Sequence, residues 1–320
     1  GLGIFLAILV ALGGFVFNVG NVAGGGLGVN SMLGLDPKIG GIITALLAIG
    51  VFISKRAGVA LDRIVVVLGV IMIAATLYVA IVSNPPVGEA LKQSVLPEEI
   101  DFTIITTLVG GTVGGYITYA GAHRMLDAGI SGPEYVKDIS RSSVTGIIIT
   151  GIMRFLLFLA ILGVVATGVQ LDTESSIAGQ AFGVAAGEVG TRLFGLILWG
   201  AAISSVIGAA FTSVSFLTSS KTSVAMKNGL TIGFIVISTI VFIIAGKAPA
   251  TLLIVAGAVN GLILPVGFGV LMFVATFLAK SLLKGYKYPL WLIIIGWASW
   301  LLTIYLGVMS LSGIAKLWAG

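Results

Sequence analysis

The sequence predicts an all-α membrane protein with about nine transmembrane helices, and two observations carry that prediction. Hydrophobic residues fill 58% of the 320 positions and charged residues only 9%, giving a mean hydropathy of +1.18. A soluble domain of this length cannot keep so much apolar surface from water. The apolar residues also gather into runs near the ~20 residues that a bilayer-spanning helix needs. These runs cover roughly residues 3–27, 38–54, 63–83, 102–122, 144–168, 193–217, 229–246, 251–278 and 288–311. Nine crossings place the two ends of the chain on opposite sides.

Charge sets the orientation, because cytoplasmic loops are enriched in Lys and Arg. With the first span running outward, eleven basic residues fall in inner loops, Lys55, Arg56 and Arg63 among them. Five lie outside: Lys38, Lys92, Arg192, Lys247 and Lys316. The acids lean outward through residues such as Glu89, Glu98, Asp101 and Glu188. Connections are short, so residues 1–320 form one membrane domain without a linker. Two connections are longer. Residues 84–101 open on Asn-Pro-Pro and read as an outer loop with a brief helix. Ser131-Gly132-Pro133-Glu134 has a capping-box spacing with Pro near the first helical position, which predicts a short inner surface helix over 133–141.

Several function classes are excluded by composition. There is no cysteine and a single histidine, His123, so neither a thiolate site nor a His-cluster metal centre can be built. The pI of about 9.5 does not imply nucleic acid, because Lys and Arg form no basic stripe. No nucleophile, base and orienter stand at usable spacing, which argues against an enzyme and against a cofactor.

The fourth run contains Gly110-Gly111-Thr112-Val113-Gly114-Gly115-Tyr116-Ile117-Thr118-Tyr119. Four glycines in six positions are where a membrane helix unwinds most easily, and residues 110–116 are expected to be non-helical. Unwound backbone at membrane depth is tolerated only where protein buries it or a cavity hydrates it. A cation can partner the freed carbonyls, as in the broken helices of secondary transporters. The same glycines also suit a close-packed helix crossing.

Three other features stand out within the spans. Asn18 and Asn21 share a helical face in the first span, as interhelical glue or as the wall of a solvated path. Ala201-Ala202-Ile203-Ser204-Ser205 in the sixth reads as helix packing. Arg154 sits about ten residues into its span, where a charge faces the bundle interior or snorkels. His123 and Arg124 fall at the inner rim of the broken helix.

At these residues the chain resembles the NRAMP family of divalent-metal transporters. Residues 18–36, with Gly28-Val29-Asn30-Ser31-Met32-Leu33-Gly34, are similar to that family's third helix. Thr112 through Tyr119 falls where its broken sixth helix carries Thr-Val-Met-Pro-His, and Leu264-Pro265 resembles the Leu-Pro of its tenth. The similarity covers essentially the whole chain, but the family's Asp-Pro-Gly-Asn signature is absent. The resemblance therefore implies helices three to eleven of a leucine-transporter-type inverted-repeat bundle, the first two helices missing, from a longer protein of a prokaryotic plasma membrane. A chain so shortened is not expected to transport alone.

The departures from the family pattern carry expectations of their own. Gly114 stands where the family places a soft methionine, and losing that sulfur weakens preference for transition metals. A roomier, oxygen-lined site of Gly111, Thr112, Gly114, Tyr116 and Thr118 suits a hydrated ion. This is similar to the magnesium-transporting branch, with manganese as co-substrate. Asn18 and Asn21 align with two carboxylates of the family's proton route, and Tyr116 and Gly121 replace two histidines, so the transport implied is not proton-coupled. Arg154 is the third residue placed on the transport path, and it also supports a rival reading, a transporter of a small organic anion or amino acid on the same fold. An accessory membrane protein is a further alternative.

Overall fold

The computed structural model describes residues 2–119, 122–127, 129–172, 176–219, 221–282 and 286–319. The side chains of Leu2, residues 55–62, Val65, His123, Arg124, Asp127, Lys280, Ser312, Ile314 and residues 316–319 are also outside the described set. The helices are α1 (Leu2–Leu33), α2 (Pro37–Ile53), α3 (Lys55–Val82), α4 (Val87–Val95), α5 (Phe102–Val113), α6 (Ala122–Asp127), α7 (Val136–Ala166), α8 (Ile177–Leu217), α9 (Val224–Ile244), α10 (Pro249–Phe277), α11 (Ala279–Leu282) and α12 (Leu290–Ala319). Two 3-10 turns, Gly115–Tyr119 and Pro133–Tyr135, precede α6 and α7. Each of the nine expected runs is largely helical. Among the described residues six helices are individually long and apolar enough to cross a bilayer: α1, α7 with its leading turn, α8, α9, α10 and α12. The seventh candidate is α3 with α4, bent by 107°.

Local chemistry places the ends. Asp36 caps α2 by accepting from the Lys38 N–H at 2.7 Å, with Pro37 at the first position. Ser176 caps α8 by accepting from the Gly179 N–H at 3.1 Å. At 41 residues α8 would be about 60 Å long, twice the hydrocarbon thickness, and it breaks at Gly187 (φ 64, ψ −156). The brief outer helix expected after Asn84 is α4. There Glu89 accepts from Gln93 and Lys92, and these contacts hold its carboxyl below the usual carboxylate range. The separate surface helix expected at 133–141 does not form. Gly132 caps the Pro133–Tyr135 turn without a side-chain bond, and the chain continues straight into α7.

The bundle is arranged around α1, which packs on α8, α10, α2, α9 and the Gly115–Tyr119 turn. Residues 18–29 are buried without interruption, as expected of a helix with neighbours on every side. Its glycines let backbones touch. A Cβ on Gly28 would lie 2.6 Å from the Trp199 nitrogen, and one on Gly195 would lie 2.6 Å from the Met32 nitrogen. Small residues at such crossings replace the hydrophobic drive that lipid cannot supply. Gly195→Val is therefore expected to cost at least the ~1–3 kcal/mol typical of overpacking, read as a lower unfolding midpoint in detergent. Gly208→Ala, where an added Cβ meets nothing within 4 Å, is expected to leave that midpoint unchanged or raised.

Apolar side chains also cover the outside, as lipid demands. Ile147, Ile148 and Ile152 on α7 and Leu290, Trp291 and Leu301 on α12 are exposed.

Candidate functional site: a broken helix against α1 and α10

The break is narrower than the glycine run suggests. Asp101 caps α5 by accepting from the Ile104 N–H at 2.9 Å, and helix continues through Gly110, Gly111, Thr112 and Val113. Gly114 then turns extended (φ −76, ψ 157) and Gly115 is left-handed (φ 50), a conformation that costs other L-residues about 1–2 kcal/mol. The reason for the shift lies on α10. Gly110 and Gly114 stack one turn apart against Gly257, Asn260 and Gly261, where a Cβ on Gly114 would come within 2.6 Å of the Asn260 carbonyl oxygen. Helix crossing and unwinding thus share the run, the first using Gly110 and Gly114, the second Gly114 and Gly115.

The backbone groups at the break can be accounted for one by one. The Gly114 N–H donates to Gly110 at 3.1 Å, and the Ile117 N–H donates to Gly114 at 3.0 Å. The Thr118 hydroxyl donates to the Val113 carbonyl and that of Thr112 to Leu108. Among the described residues no donor reaches the carbonyls of Gly111 and Thr112. These lie at the C-terminal end of α5, where the helix dipole favours positive charge.

The residues singled out from sequence divide between two faces. Thr112 and Thr118 line a cavity of about 540 Å³ with Leu264, Phe268, Ser299 and Thr303 from α10 and α12. Gly111 faces open space, since an added Cβ would meet nothing within 4 Å. Tyr116 turns the other way. It is buried against α1, its ring 5.4 Å from that of Phe17 and its hydroxyl beside the Asn21 side chain. Gly114 is a helix contact without room for a methionine, so the roomy position expected there is filled by α10 backbone.

Asn18 is fully buried and donates to the Ser238 hydroxyl of α9 at 3.2 Å. Among the described residues its Oδ1 has no hydrogen-bond partner, and Nδ2 of Asn21 lies beside the Tyr116 hydroxyl without meeting hydrogen-bond geometry. Arg154 corrects an expectation, for it does not reach this site. It is exposed on α7, which packs on α3 and α8, and it lies opposite the buried stripe of Leu159, Ala160, Gly163 and Val164. The long Arg stem can carry its charge along that face toward water. Gly121 lies outside the described residues.

Asn260 is the neighbour that sequence reasoning missed. It is fully buried on α10, against both α1 and the break. Its signal was an amide within an otherwise apolar run, five positions before Pro265. Among the described residues no three His, Asp or Glu side chains come together as a metal-holding group, so the oxygens here are neutral.

Comparison with known proteins places this geometry. The profile of the natural resistance-associated macrophage protein-like (Nramp) family matches residues 1–313. A membrane protein of Bacillus subtilis, YcsG, is 48% identical over 321 residues, covering all of this chain and 78% of the relative. A Haemophilus influenzae membrane protein is 48% identical over 296 residues, covering 92% of this chain and 74% of its own length. A crystal structure of a histidine-to-alanine mutant of the Eremococcus coleocola manganese transporter superposes with a TM-score of 0.65 over 99% of this chain and 72% of that one, at 17% identity. That likeness shows the leucine-transporter-type fold, and the profile match over almost the full length shows that the chain belongs to the Nramp family of metal transporters.

Proposed function

We propose that this protein carries hydrated divalent cations, magnesium and manganese, across the membrane through the break at Gly114–Gly115, without moving protons in exchange. The observation that supports it is the pair of unpartnered carbonyls, Gly111 and Thr112, at the negative end of α5. Close by, Thr112 and Thr118 line a cavity of about 540 Å³, large enough for an ion with water. All these donors are neutral oxygens. Magnesium binds through few protein oxygens and keeps several waters, while soft ligands that would single out transition metals are absent from the break. By the resemblance to the family, Asn18, Asn21 and Tyr116 stand where it keeps two carboxylates and a histidine, and neither an amide nor an ordinary phenol exchanges protons near neutral pH.

Competitive uptake tests the selectivity. The full-length protein in liposomes is expected to take up manganese in a manner that magnesium inhibits with an affinity within about tenfold of manganese itself, cadmium competing no better. Manganese uptake untouched by a hundredfold excess of magnesium would restrict the site to transition metals, and no uptake above protein-free liposomes would reject the transport reading altogether.

A further inference from the structure

The way inward from the break is filled by a cluster that α1, α8, α10 and the Gly115–Tyr119 turn bring together. Tyr119 ends that turn, and its ring meets the ring of Phe216 on α8 edge-on, with centroids 5.6 Å apart. Val10 of α1, Ala209 of α8 and Tyr116 are buried with it, and Leu6, Phe17 and Ile117 pack against them. Chain direction puts the whole cluster on one side. On the orientation that charge sets, α1 starts at the inner face while α8 and α10 end there. Val10, Phe216 and Gly267 therefore lie inward of the break, as Tyr119 does.

Tyr119 also makes a specific bond. It is buried, and its hydroxyl donates to the Gly267 carbonyl of α10 at 2.8 Å. A Cβ on Gly267 would lie 3.1 Å from that hydroxyl oxygen, so a larger residue would hold the phenol off. Gly267 stands two positions beyond Pro265, whose missing N–H leaves the Gly261 carbonyl without its helical donor. From another side Trp300 of α12 donates its indole N–H to the Pro265 carbonyl at 2.7 Å. The inner half of α10 thus joins its outer half through a weakened turn, and the Tyr119 hydroxyl ties it to the broken helix. A hydrated cation moving inward meets aromatic rings and apolar side chains, where shedding its water is costly, and constrictions of this kind close pores. Packing alone would be served by phenylalanine at position 119. The phenol adds a bond to backbone that a small movement of α10 or of the turn can break and remake.

We infer that Tyr119 is the inner gate of the transport path: its ring against Phe216 closes the passage, and its bond to Gly267 holds the inner half of α10 on the broken helix while the passage is shut. The inference rests on the cation-transport reading above. It assigns the turn after the break a task separate from that of the carbonyls before it.

The test reads accessibility from the inner side. This chain has no cysteine, so an introduced thiol reports one place, any cysteine elsewhere in the full-length protein being replaced by serine. Ala209→Cys sets a thiol within the cluster, and Ala160→Cys sets one in the separate core of α3, α4, α7 and α8. Both alanines are 0% exposed. In inside-out vesicles a membrane-impermeant maleimide is expected to label the Ala209→Cys site about two- to tenfold faster when Tyr119→Phe removes the hydroxyl, the population shift that losing one hydrogen bond produces. Tyr119→Ala, which removes the ring as well, is expected to speed labelling further. The Ala160→Cys site is expected to label at the same slow rate in all three backgrounds. Unchanged labelling of the Ala209→Cys site in Tyr119→Phe would overturn the inference. Equal acceleration at both sites would do so too, since a merely structural tyrosine loosens the whole bundle. Tyr119→Phe differs only by the hydroxyl, so its result decides even where Tyr119→Ala fails to fold. Absence of manganese uptake by the unaltered full-length protein in liposomes would instead reject the transport reading.

Discussion

Replacing Gly115 by alanine is expected to abolish cation uptake, while replacing Gly111, four residues earlier, is expected to preserve it. The two glycines sit in the same run but under opposite constraints. Gly115 has φ 50, and a Cβ there would overlap Asn260 Oδ1. The substitution therefore adds the ~1–2 kcal/mol of a left-handed L-residue to a collision with a side chain pinned by two hydrogen bonds. The turn from Gly115 to Tyr119 must move, and with it the carbonyls left open at the end of α5. Gly111 is helical with open space where its Cβ would lie, and Gly→Ala in a helix favours folding by roughly 0.5–1 kcal/mol. Initial rates of manganese uptake into liposomes, normalised to inserted protein, are expected to fall at least tenfold for Gly115→Ala and to stay within about twofold for Gly111→Ala. Equal rates for the two variants would remove the break from the transport path.

Uptake by the unaltered protein is expected to proceed without acidifying the liposome lumen. Asn18 and Asn21 are amides, and amides do not titrate near neutral pH. Tyr116 beside them is a phenol, which ordinarily ionises near pH ~10. Arg154, in the apolar stretch of α7, lies exposed on the outer face of that helix, away from the break. None of these can hand a proton from one side to the other. With a pH dye inside, a magnesium or manganese gradient inward and the voltage clamped by potassium and valinomycin, the metal signal is expected to rise while the dye stays level. Acidification that follows metal uptake, saturates with it and survives the clamp would show a coupled mechanism and a proton route through other residues.

How far the site was legible depends on the residue. The break was visible because glycines that lower the cost of leaving the helix were concentrated in one apolar run. Its limits were not, since Gly110 and Gly111 are as free as Gly114 and Gly115 until α10 is in place. Gly257 and Gly261, 147 positions beyond Gly110 and Gly114, hold the first part of the run helical by backbone contact. The direction of Arg154 was also hidden. A charged residue in an apolar stretch signals a constraint, but its helix face acquires meaning only when α3 and α8 cover the opposite side. Asn260 was overlooked because a lone amide among Val, Gly and Leu resembles a tolerated polar residue. Its importance came from Gly13 and Gly115, which only the fold brings to it.

The sequence by itself determined the solvent, the helical class and the position of most spans, because hydropathy and capping act within one or two turns of the chain and a continuous apolar run of span length satisfies its own backbone in lipid only as a helix. Tertiary structure decided which glycine of the run gives way, which side chains are buried at the break and which helix sets an amide against it. Those outcomes rest on backbone contacts between segments more than a hundred residues apart. A glycine permits several conformations at nearly equal cost, and only the neighbour pressed against it selects one.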